Sequence, residues 1–98
     1  MLKYLESENF KEVIGSGLVL VDFYASWCGP CKMLNPVLER LGDDYDIVKV
    51  DVDKFGLLAR EYGIMSIPSL IVFRDGIVVD TMIGFRSYED IKDVLDRV

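Results

Sequence analysis

The 98-residue chain has no histidine, two cysteines, three prolines and one tryptophan. Without histidine or a third cysteine, one chain cannot assemble the usual four donors of a structural zinc site. Only carboxylates, or thiolates pooled between two chains, would leave a route to a metal. Nowhere do two Lys or Arg residues stand side by side, and the formal charge is −6. The electrostatic footprint of a protein that binds nucleic acid or an anionic membrane is therefore missing, and the expected partners are proteins. Long apolar runs are lacking too. The uncharged stretch GIMSIPSLIVF at 63–73 is too short to span a bilayer and contains a proline. MLKYLESENF at the start carries two acids and no continuous apolar segment, so an export signal is not expected. The expected compartment is the reducing cytoplasm.

What is present is an ordinary globular balance, 51% apolar and 29% charged. At this length a chain buries roughly 60–65% of its unfolded surface and sustains one core, so residues 1–98 are expected to be a single, monomeric domain. The hydrophobic period changes repeatedly, which points to α/β architecture. Lys3–Leu5 reads as a short strand, and Ser7 as the cap of a brief helix running to about Ile14. LVLVDFYA at 18–25 is apolar on both alternating faces, as a strand covered on both sides should be.

Beyond the cysteines, Leu34, Val37, Leu38 and Leu41 give a helix with one apolar stripe that ends at Gly42, with Pro36 inside it. DIVKVDVD at 46–53 alternates as a strand. A short helix follows, with Phe55, Leu58, Ala59 and Tyr62 in register. SLIVF at 69–73 and IVVDTMI at 77–83 flank an Asp-Gly pair, a strong signal for an antiparallel hairpin. Ser87 opens a last helix whose stripe is Ile91, Val94, Leu95 and Val98. The expectation is a central mixed sheet of about five strands, the last two a hairpin, flanked by about four helices.

Both cysteines lie in ASWCGPCK at 25–32. A structural staple between residues three apart closes so small a loop that it contributes only ~2 kcal/mol, against ~3 for a fifteen-residue loop. A redox pair needs an accessible acidic thiol, a second thiol within reach and a backbone that holds both. Gly29 permits a tight entry and Pro30 is preset for the first turn of a helix. Cys28 should then sit at the helix N-terminus, where the dipole and unpaired N–H groups favour a thiolate, with Cys31 one turn further in.

The sequence resembles the thioredoxin family. The resemblance rests on VDFYASWCGPCK at 21–32, Pro36, KVDVD at 49–53, YGIMSIPS at 62–69, the Asp-Gly hairpin and Gly84, in order from Leu2 to Val98. It implies the thioredoxin fold and a protein disulfide reductase with no bound cofactor. Cys28 would be the nucleophile and Cys31 the resolving thiol, with Asp22 as proton acceptor and donor and Lys49 as the residue that tunes Asp22. It also implies a cis bond at Ile67-Pro68. Trp27, Val52, Met65, Ser66, Ile67, Pro68 and Gly84 would form the target-binding surface, while uncharged Gly29 and Pro30 between the thiols favour reduction. Disulfide-containing targets and a thioredoxin reductase are the implied partners. Two readings from other classes stand beside it: a non-catalytic binding subunit on the same scaffold, and a metal or cluster carrier formed by dimerisation.

Overall fold

A computed structural model describes residues 1–98. The elements are β1 (Leu2–Tyr4), α1 (Phe10–Val13), β2 (Leu18–Tyr24), α2 (Gly29–Leu41), β3 (Asp46–Asp51), α3 (Gly56–Glu61), β4 (Ser69–Arg74), β5 (Ile77–Ile83) and α4 (Tyr88–Arg97). The five strands form one sheet in the order β1-β3-β2-β4-β5. β1, β3 and β2 are parallel, whereas β4 pairs antiparallel with both β2 and β5. The expected mixed sheet with a terminal hairpin is present, and no helix is long and apolar enough to cross a membrane.

β2 lies at the centre, and its alternating side chains feed two different cores. Val19, Val21 and Phe23 pack with Phe10 of α1 and with Phe55 and Ala59 at α3. On the opposite face Leu20 packs with Leu34, Leu38 and Leu41 of α2 and Ile91, Val94 and Leu95 of α4. Each fully buried leucine contributes roughly 1.5–3 kcal/mol through removal of its surface from water, which seats α2 firmly against β2 and β3. α2 and α4 meet where the Arg40 guanidinium lies 3.7 Å from the centre of the Tyr88 ring.

The turn signals act as their chemistry requires. Asp75 and Gly76 both have positive φ, 51° and 83°, the combination a two-residue hairpin needs to match the strand twist. Ser87 caps α4, its hydroxyl accepting the Asp90 N–H at 3.1 Å.

Several boundaries differ from expectation. β1 is Leu2–Tyr4 rather than Lys3–Leu5, with the Leu5 N–H still donating to the Lys49 carbonyl. α1 does not start at Ser7: its hydroxyl donates to Asn9 Oδ1 at 2.7 Å, and a single turn begins at Phe10. β3 ends at Asp51 rather than Asp53, because the Asp51 carboxylate accepts the Asp53 N–H at 2.9 Å and turns the chain toward α3.

Candidate active site

The chain leaves β2 at Tyr24 and enters α2 through Cys28, which has extended backbone angles (φ −89°, ψ 115°) and is the residue that caps the helix. Pro30 occupies the first turn, where its missing N–H leaves no bond unmade. The Cys28 sulfur accepts the Cys31 backbone N–H at 3.2 Å. The two residues are joined by a disulfide, with Cα atoms 5.2 Å apart. They pack with Ala25 and with half-buried Tyr24, Val52 and Ile67. Cys28 is 5% exposed and Cys31 2%. The open sulfur expected from the sequence is thus narrowly uncovered in the disulfide form, though Gly29 and Pro30 beside it are exposed.

Asp22, opposite Lys49 in the β2–β3 register, shares its strand face with Leu20, which packs on α2. Its carboxylate therefore lies in the layer between the sheet and the helix that Cys28 caps. Asp22 is fully buried and Lys49 is 3% exposed, so neither is at a solvated edge. The Lys49 ammonium lies 3.6 Å from Asp22 Oδ2, an ion pair longer than a hydrogen bond, and neither Asp22 oxygen has a hydrogen-bond partner. Burial pushes the Asp22 carboxyl up to about 6, while the Lys49 charge pulls it down.

Three groups not anticipated from the sequence surround this pair. The Lys49 Nζ donates to Asn35 Oδ1 of α2, and lies 4.4 Å and 5.5 Å from the ring centres of Tyr24 and Tyr4. A polar residue at i+4 from Cys31, beside an apolar stripe, was the available signal for Asn35.

On the other side of the cysteines, the Ile67-Pro68 bond is cis. Pro68 is buried, with the backbone of exposed Ser66 just before it. The Ser69 hydroxyl donates to the Ser66 carbonyl at 2.6 Å, and the Gly84 N–H to the Pro68 carbonyl at 2.8 Å. The Cys28 sulfur is 3.9 Å from the Ile67 carbonyl oxygen, a contact only, because a disulfide sulfur carries no proton. Trp27, Val52, Met65, Ser66 and Ile67 line a shallow groove of about 200 Å³ together with Ala59 and Ile64. Met65 and Trp27 are 96% and 68% exposed, and the indole N–H donates to Asp53 Oδ2 at 2.8 Å, a tether the sequence reading did not include.

Comparison with known proteins agrees with this geometry. The family model described as Thioredoxin matches residues 1–97. Over 93 residues the chain is 54% identical to a thioredoxin of Staphylococcus haemolyticus, covering 91% of this chain and 89% of that one. A thioredoxin of Staphylococcus aureus is 52% identical over the same extent. Among solved structures, a mutant thioredoxin from Halobacterium salinarum superposes with a TM-score of 0.92 at 36% identity, covering 97% of this chain and 88% of that one. The thioredoxin of Malassezia sympodialis superposes with a TM-score of 0.88 at 35% identity, covering 99% and 90%.

Proposed function

The chain belongs to the thioredoxin family and is a thiol–disulfide oxidoreductase, a protein disulfide reductase, and from that premise we propose how its residues divide the work. In the reduced protein the Cys28 thiolate attacks one sulfur of a target disulfide. A Cys28–target bond forms, the target bond breaks, and the other target sulfur leaves as a thiolate. Cys31 then gives its proton to Asp22 and attacks the Cys28 sulfur. The Cys28–Cys31 bond forms and the second target sulfur leaves, so two electrons have passed to the target.

One observation carries the assignment of nucleophile: the Cys28 sulfur caps α2 and accepts a backbone N–H, a position that favours negative charge on sulfur. Uncharged Gly29 and Pro30 add nothing that would stabilise the thiolate further, in keeping with reduction rather than oxidation of targets. Burial of Asp22 and its carboxyl pushed up to about 6 suit it to exchange a proton near neutrality, with Lys49 tuning it.

An extended target segment adds as a strand along Ser66–Ile67, held by Trp27, Val52, Met65, Pro68 and Gly84. The exposed Ser66 backbone and the groove beside it support this reading. We assign the chain to the cytoplasm, as a one-domain monomer over residues 1–98 without a bound cofactor, recharged by a thioredoxin reductase. Insulin disulfide reduction in the presence of dithiothreitol tests the proposal. Turnover by the wild type and none by Cys28→Ser is expected; equal rates would return the chain to a binding-scaffold role.

A further inference from the structure

Lys49 stands back from the carboxylate it faces. Its ammonium stands 3.6 Å from Asp22 Oδ2, both Asp22 oxygens lack a donor, and the hydrogen bond goes instead to Asn35 Oδ1. Asn35 is half-buried on α2, four residues beyond Cys31 and so on the same side of the helix. One helix therefore carries both the sulfur that must lose a proton and an acceptor that tethers Lys49.

We infer that Asn35 is a positioning residue for the resolving step: by tethering the Lys49 ammonium toward α2, it keeps that charge from closing on Asp22 and leaves the carboxylate a stronger proton acceptor for Cys31. The inference rests on Asp22 being the base toward Cys31. Burial pushes the Asp22 carboxyl up to about 6 against the downward pull of Lys49, and a closer ammonium would pull it further down. The other groups around this site are Tyr24 on the same strand, Tyr4 from β1, Asp51 further along β3 and the cysteine pair at the head of α2. From β4 the register partner of Asp22 is Leu70, which does not titrate.

Two variants should move the system in opposite directions. Asn35→Ala frees the Lys49 ammonium to close on Asp22, so the acidic limb of mixed-disulfide resolution should move to lower pH, by roughly one unit. Asn35→Asp holds Lys49 more tightly and adds a like charge near Asp22, so the limb should move up. A general loosening of α2 would not produce opposite signs, and alanine favours a helix interior over asparagine. The readouts are the ¹³C carboxyl titration of Asp22 in the reduced protein and stopped-flow release of target from a Cys28 mixed disulfide. An Asp22 titration unchanged in Asn35→Ala, or a shift of the same sign in both variants, overturns the inference. Asp22→Asn separates it from its premise. If the limb survives in Asp22→Asn, the base assignment falls and takes the inference with it. If the limb vanishes there while both Asn35 variants behave as wild type, only the role of Asn35 falls.

Discussion

The Cys28 sulfur accepts the backbone N–H of Cys31 at 3.2 Å, so one half of the redox pair caps the helix that carries the other half. Cys28 faces the free N–H groups of the first turn, whereas Cys31 lies within the helix and is 2% exposed. The two thiols of the reduced protein are chemically unequal for that reason.

That inequality predicts the order of alkylation. At neutral pH, iodoacetamide should label Cys28 well before Cys31, and Cys28 faster than a free peptide thiol, since the helix terminus favours the thiolate. Peptide mapping after brief exposure reads this directly. Preferential labelling of Cys31 would contradict the assignment of the nucleophile.

The buried carboxylate predicts a pH-dependent stability. Asp22 is raised from 3.8 to about 6, by burial first and against the pull of Lys49. A pKa raised on folding means that folding favours the neutral form. That contribution is complete below the unfolded value near pH 3.8 and is lost as pH rises through about 6. Asp22→Asn should therefore gain on wild type with rising pH, by at most roughly 3 kcal/mol at pH 8. The Lys49 ammonium, left without its counter-charge, takes back part of that gain. Urea melts of both proteins at pH 4 and pH 8 measure the difference, which should be wider at pH 8; an equal gap at both would show that Asp22 is not under strain from burial.

Gly84 predicts a split between stability and target binding. Its φ is +84°, and a Cβ added there would meet nothing within 4 Å. Gly84→Val should lower stability by about 1–2 kcal/mol through left-handed strain alone. The Gly84 backbone itself adjoins Pro68, whose carbonyl accepts the Gly84 N–H. KM for a protein disulfide should rise several-fold while the rate on a small aromatic disulfide stays near wild type. An unchanged KM would remove Gly84 from the target surface.

The features legible in advance share a short range. Asp75-Gly76 names its own turn, because φ must be positive at both positions and these residues tolerate it. Ser87 caps α4 through a residue only three positions away. The two apolar faces of β2 announce helices on both sides before any helix is placed. By contrast, Ser7 had a choice between backbone amides and the Asn9 side chain, and it bonds Asn9. Asp51 similarly ends its strand by bonding the Asp53 amide. Each alternative is locally reasonable, and periodicity does not distinguish them.

The order of residues alone determined that the two thiols stand one helical turn apart with a proline between them, and that a carboxylate interrupts an apolar strand six positions before Cys28. Those are statements about neighbours along the chain, where backbone sterics and hydrophobic period decide the outcome. Only the packed sheet decided what the carboxylate meets. The parallel pairing of β2 with β3 puts Lys49 opposite Asp22, and the seating of α2 on that layer brings in Asn35 to take the ammonium's hydrogen bond. A buried charge is governed by whatever surrounds it in three dimensions, because with water excluded its energy depends on a few fixed partners that the chain supplies from distant positions.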